Sequence, residues 1–162
     1  MNTIKKTRTL DISREKLINI LTNPEFEVAR ETKANGSLEA KVKELSRTDS
    51  TLEYEIQVKE YAKGVTGIDK SKTENNTYTY KWDLKNFKAD WTYKMSSHGG
   101  SVKVFGSIII SDKGGKSQLD NAVNVEIKIP LIGGKIEKKV LSEIENGWPN
   151  YDRIVDEWLQ KA

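Results

Sequence analysis

Between residues 52 and 129 apolar and polar side chains alternate with a period of two. Leu52, Tyr54, Ile56 and Val58 alternate with Glu53, Glu55, Gln57 and Lys59, and Tyr78, Tyr80, Trp82 and Leu84 with Thr79, Lys81, Asp83 and Lys85. The same rhythm runs through Ala89, Trp91, Tyr93 and Met95, and through Val123, Val125, Ile127 and Ile129. Val102, Val104, Ile108 and Ile110 share one parity with Gly106 as a gap, where a β-bulge would invert the pattern locally. Successive side chains of a strand point to opposite faces, so this pattern predicts antiparallel strands with one dry and one wet face. Residues 3–10 and 37–45 add two more strands, the first weakly patterned as an edge strand is, for about seven in all. Turn-forming clusters at Arg47–Ser50, Lys85–Asn86, Ser96–Gly100 and Asp112–Gly115 separate the strands, and Ala62–Lys72 reads as a longer connection.

Helical signals lie near both ends of the chain. Residues 13–22 form a short helix started by Ser13 and stopped at Asn23-Pro24, and a second helical turn covers 24–33. From Leu131 onward the period changes. Ile132, Ile136, Val140, Ile144, Trp148, Tyr151, Val155 and Trp158 trace one stripe of an amphipathic helix. Pro130 stands at its start, where proline is tolerated, and Pro149 predicts a kink or break near 147–149 with the stripe still in phase on either side. One apolar helix stripe must cover one apolar sheet face. The expected architecture is therefore a two-layer α+β domain over residues 1–162. It places a curved antiparallel sheet around a long C-terminal helix, with one or two short helices after the first strand and a space between helix and concave face.

Composition narrows the chemistry. The 162 residues include no cysteine and one histidine, His98, which excludes disulfides, thiolate chemistry and a His-rich metal site. No metal or cofactor is expected. Lys and Arg number 27 against 24 Asp and Glu, scattered along the chain, which is a solvated surface and not the concentrated basic face of a nucleic-acid binder. The longest purely apolar run, Ile108–Ile110, is far too short for an integral membrane segment, and no apolar leader follows Met1–Lys6, so a cytoplasmic protein is expected.

The local motifs that could carry chemistry have plainer readings. His98 lies in Ser96-Ser97-His98-Gly99-Gly100 and reads as a solvent-exposed turn, the alternative being a general base at a pocket mouth. Gly115-Lys116-Ser117 is not a phosphate loop, because Ile110 stands where the signature needs glycine. Gly133-Gly134-Lys135 reads as a tight strand-to-helix turn rather than an anion cradle, with Lys135, Lys138 and Lys139 on the wet face of the helix. Glu53, Glu55, Asp83, Asp90 and Glu126 fall on outward parity, and no buried acidic pair suited to acid–base work is expected. No catalytic residue is assigned.

The order of elements resembles the helix-grip fold of the START-like superfamily, which includes polyketide cyclases and pollen-allergen-type ligand carriers. The run Val125-Glu-Ile-Lys-Ile-Pro130-Leu-Ile-Gly133-Gly134-Lys-Ile-Glu137, with Asp156-Glu-Trp158-Leu159 near the end, resembles an uncharacterised bacterial branch with a Pro-x-x-Gly-Gly-x-x-Glu junction. Lys72-Thr-Glu, Trp82 and Gly106-Ser-Ile-Ile-Ile-Ser also fit its strand layout. The resemblance implies a hydrophobic pocket and no fixed catalytic set. On the sheet the wall of that pocket is expected at Tyr54, Ile56, Tyr80, Trp82, Trp91 and Tyr93. Val104 and Val125 on later strands and Ile136, Val140 and Ile144 on the helix complete it. Binding or transport of a small hydrophobic ligand, a lipid or polyketide, is the leading expectation. A cyclase or hydrolase using pocket tyrosines and an acid, and a co-chaperone-like interaction module, are the alternatives.

Overall fold

A computed structural model describes residues 1–64 and 67–162. The first strand, β1 (Asn2–Leu10), is followed by two short helices, α1 (Arg14–Leu21) and α2 (Pro24–Ala29), the second running into a π-helical turn at Arg30–Ala34. Ser13 caps α1 by accepting the Lys16 N–H, and Asn23 caps α2 by accepting that of Glu25, with Pro24 in the first turn where its missing donor costs nothing. Then come β2 (Glu39–Arg47), β3 (Thr51–Gly64), β4 (Gly67–Asp83), β5 (Lys88–Lys94), β6 (Val102–Lys113) and β7 (Lys116–Ile127), and last the helix α3 (Gly133–Lys161). No described helix is long and apolar enough to cross a membrane.

The seven strands form one antiparallel sheet in the order β1-β7-β6-β5-β4-β3-β2. The expected α+β helix-grip architecture is present. Two local expectations change. The pattern around Gly106 contains no bulge, since Tyr93, Trp91 and Ala89 pair in unbroken register with Val104, Gly106 and Ile108. Glycine is needed there for space: a Cβ would lie 2.2 Å from the Ala122 carbonyl oxygen and 2.5 Å from the Trp91 ring. The Ala62–Lys72 stretch is largely strand, with Tyr61 paired to Thr73 and Gly64 to Gly67 across a register shift at Tyr61/Ala62. The described residues of this stretch are half-buried or exposed with none fully buried, so it lacks the alternation that marks the other strands. Val65 and Thr66, within that stretch, lie outside the described residues.

The helix α3 is continuous through Pro149, so of the expected kink or break the break is absent. The proline removes one backbone donor, but it lies on the solvent side, where a freed carbonyl can be hydrated. Buried Ile154 and Val155, and ion pairs from Lys6 to Asp152 and Arg8 to Asp156, fix the following turns against the core and β1.

At the other end a tight joint links β7 to α3. The Glu137 carboxylate accepts the Ile127 N–H at 2.8 Å and the Asn2 amide at 2.7 Å, and the N-terminal ammonium lies 3.3 Å away. The Ile127 N–H, with Asn2 and the terminal amine, holds its carboxyl below the usual carboxylate range. A Cβ on Gly133 would stand 2.3 Å from the Ile127 carbonyl oxygen, so the glycine serves close packing at the turn.

Replacing Gly106 by alanine should therefore destabilise the fold by about 1–3 kcal/mol, because a backbone carbonyl must move. Urea denaturation checks this, and a midpoint equal to that of the unchanged protein contradicts it.

Candidate functional site

A cavity of about 440 Å³ lies between the concave face of the sheet and α3. Its sheet wall includes Tyr78, Tyr80, Trp91 and Tyr93, and its helix wall Ile136, Val140, Ile144 and Trp148. The four helix residues are half-buried and lie against the cluster that buried Leu141 of the helix forms with Val123, Val125 and Ile127 of β7. Tyr78 sits among the aromatics, 4.6 Å from the Tyr93 ring and 6.1 Å from that of Trp91.

Of the residues expected at the wall, Tyr80, Trp91, Tyr93, Val104, Val125, Ile136, Val140 and Ile144 are brought together there. Tyr54, Ile56 and Trp82 are not at the wall. They belong to the packed core under α1 and α2, where Tyr54 stacks on Tyr80 at 5.3 Å and its hydroxyl accepts the Trp82 indole N–H at 3.2 Å. Inward parity is shared by all of them; cover from the short helices separates the two groups.

The site also contains charge that the pattern of outward carboxylates did not anticipate. Glu27, Glu31 and Glu60 are buried. Arg30 joins the first two. Its Nε donates to Glu27 at 3.0 Å, its Nη1 lies 2.9 Å from Glu31, and its Nη2 donates to the Tyr80 hydroxyl at 3.0 Å. Burial disfavours the guanidinium charge, but Glu27, with Tyr80 and Glu31, more than offsets it and raises the Arg30 pKa well above its ordinary value. Burial likewise raises the Glu31 carboxyl, with Arg30 opposing and Glu27 and Glu60 adding to the rise.

A second cluster surrounds Glu60. The Tyr93 hydroxyl donates to it at 2.7 Å, Asn76 donates at 3.2 Å, and Lys63 pairs with it at 2.7 Å. Tyr93 in turn accepts from Asn76 at 2.9 Å and from Lys63 at 3.1 Å. Burial first, and then the Glu60 charge, push the Tyr93 phenol far up. Burial drives Tyr78 and Tyr80 the same way and brings Tyr151 to about 12. These tyrosines stay protonated at neutral pH and act as hydroxyl donors and acceptors, not as nucleophiles. His98 does occupy the β5–β6 turn, but it is half-buried at the cavity and its Nε2 lies 2.7 Å from the Lys63 carbonyl oxygen.

The missed acids differ in how readable they were. Glu60 follows Leu52, Tyr54, Ile56 and Val58 on the inward parity of β3, and Asn76 precedes Tyr78 and Tyr80 on that of β4, so both were legible. Glu27 and Glu31 lie on a short α-to-π segment whose change of pitch leaves no stable periodicity to read. Among the described residues no cluster of three or more acidic or histidine side chains could hold a metal ion. The walls offer apolar surface, ring faces and paired hydroxyls, which can bind and orient an apolar molecule.

A family model described as "Protein of unknown function (DUF2505)" matches residues 5–159, so the chain belongs to that family. No curated protein matches the sequence. Among solved structures, the chain is similar to the ZhuI aromatase/cyclase of Streptomyces sp. R1128, at 10% identity and TM-score 0.63, over 95% of this chain and 90% of that one. It is also similar to a START superfamily protein of Mycobacterium smegmatis, at 14% identity and TM-score 0.60, over 96% and 98%. The 18 kDa protein CC1736 of Caulobacter crescentus aligns at 6% identity and TM-score 0.64, over 99% and 97%. At such identities the likeness establishes a START-like fold.

Two outcomes follow for the buried charges. Arg30→Ala strands Glu27 and Glu31 and should cost about 3–5 kcal/mol by urea denaturation; a loss below 1 kcal/mol, roughly an exposed pair's worth, contradicts the pairing. Glu31 binds its proton more tightly folded than unfolded. Its contribution is therefore fully present below the ordinary carboxylate pKa and is lost as pH rises toward the raised folded value. The stability of Glu31→Gln relative to the unchanged protein should increase over that window, and a difference flat with pH contradicts it.

Proposed function

We propose that this DUF2505 chain is a single-domain cytoplasmic carrier or sensor of a small apolar ligand, such as a lipid or polyketide, held in the cavity between sheet and α3. One observation carries the reading: a space of about 440 Å³ with walls largely aromatic and aliphatic, where Glu27, Arg30, Glu60 and Lys63 already have partners within the protein. Concave, mostly apolar cavities with a few placed polar groups are where small molecules bind. Covering roughly 300 Å² of apolar ligand surface would contribute about 7 kcal/mol before the costs of association. The site residues under this reading are Tyr80, Trp91, Tyr93, Val104 and Val125 from the sheet and Ile136, Val140 and Ile144 from the helix.

The polar groups suggest which ligands fit. Arg30 spends its donors on Glu27, Glu31 and Tyr80, so it is no free anchor for a ligand carboxylate. A ligand with a neutral hydroxyl or carbonyl suits the tyrosines better. A cyclase-type enzyme is the second reading, favoured by the contact of Tyr93 with Glu60 at the wall. The carrier reading is preferred because the Tyr93 proton is held by Glu60 and the phenolate form is strongly disfavoured.

Titration with 1-dodecanol should change tryptophan emission through Trp91 and Trp148, and native mass spectrometry of protein taken from cells should show a co-purified small molecule. Val140→Trp, which fills the space, should weaken dodecanol binding about tenfold or more with little loss of stability. If no ligand co-purifies and emission does not respond, the carrier reading fails.

A further inference from the structure

Of the seven large hydrophobics exposed among the described residues, Met1, Leu38, Ile68, Leu131 and Ile132 lie at one end of the sheet. There β1, β2, β4 and β6 begin and β3, β5 and β7 finish. The cavity reaches this end, where Ile68, His98, Ile129 and Lys139 contribute to its lining.

Leu131 stands out within this group. It is fully exposed, at 101%, and its φ is 71°, a left-handed conformation that costs a branched side chain about 1 kcal/mol or more. Glycine or asparagine would hold that turn more cheaply. The next residue, Ile132, is 44% exposed. Folding alone gives no reason to spend backbone strain on presenting leucine to water.

The surrounding charge is also locally unfavourable. Lys135, Lys138 and Lys139 are exposed on the first turns of α3, spaced so that like charges adjoin, at the helix end whose dipole favours anions. Lys128 is exposed just before the turn and Lys103 on the neighbouring strand. None of the five makes an ion pair among the described residues. Glu137, the acid among them, is turned inward and occupied by Ile127, Asn2 and the terminal amine. A fully exposed apolar tip flanked along the chain by Lys128, Lys135, Lys138 and Lys139, none in an ion pair among the described residues, is complementary to a surface with negative headgroups over an apolar interior.

We propose that this end of the protein docks on an anionic bilayer, with Leu131 and Ile132 inserted at the headgroup boundary and Lys128, Lys135, Lys138 and Lys139 over the anionic headgroups. Apolar burial and headgroup attraction add, so the contact is reversible and salt-sensitive. The orientation sets the cavity mouth against the membrane. Docking in this orientation needs no ligand in the cavity, so it and the carrier reading can fail independently.

The test is flotation of the full chain with vesicles, without added ligand. Vesicles of phosphatidylcholine with about 30% phosphatidylglycerol should bind it, phosphatidylcholine alone should bind it far less, and about 1 M salt should release it. Leu131→Asn suits the left-handed turn, so its melting temperature should equal or exceed that of the unchanged protein while vesicle partitioning falls about tenfold. Lys135→Gln and Lys138→Gln should each lower partitioning about fivefold. The proposal is overturned if the protein floats with neither vesicle or with both equally. It is also overturned if binding survives high salt, as a protein-docking patch would allow, or if Leu131→Asn binds as well as the unchanged protein.

Discussion

The helix α3 is fastened to the sheet at its two ends, and between them it packs on β7 while bordering the cavity. At the first end Glu137 is locked onto the last residue of β7 and Gly133 packs on the same peptide. At the second, Ile154 and Val155 enter the core, and Asp152 and Asp156 pair with Lys6 and Arg8 on the edge strand β1. Between these anchors buried Leu141 packs with Val123, Val125 and Ile127 of β7, and Ile136, Val140, Ile144 and Trp148 lie against that cluster and line the cavity. Apolar stripes ordinarily close on one another, since packed interiors leave few voids larger than a water molecule. Here α3 closes on β7, and the cavity is the space left between the helix and the tyrosines of β4 and β5.

The buried charges occupy the opposite wall. The short helices and the π-helical turn bring Glu27, Arg30 and Glu31 over the tyrosine surface of β3 and β4, where each acid meets a donor. Such networks seldom add net stability, because desolvation consumes most of the Coulombic gain. They do fix geometry: Tyr80 is oriented by Arg30, Tyr54 by Glu27 and Trp82, and Tyr93 by Glu60, Asn76 and Lys63. The result is a rigid aromatic wall with hydroxyls held in set directions, suited to orienting a ligand with few polar atoms.

Much of the architecture was legible in the chain. The alternation from Leu52 to Ile129 identified the inward face of the central strands, and the stripe from Ile136 to Trp158 identified the helix face that covers it. Departures came where a local rule met a distant contact. Pro149 did not break α3, because buried residues and ion pairs after it held the helix in line. Gly106 marked a ring lying across the backbone and not a bulge. Glu60 was readable from parity but outvoted by the many exposed acids around it.

The sequence by itself determined the elements, their order and which side chains face inward, because a periodicity of two or 3.6 is a property of neighbouring residues. Only the tertiary structure decided which inward residues became core and which became wall. Tyr54 and Trp82 are sealed by α1 and α2, while Trp91 and Tyr93, on the same face, line the cavity. It also decided which charges meet, since Arg30 and Tyr80 are fifty residues apart along the chain. A cavity is a separation between elements remote in sequence, and it leaves no local pattern to read.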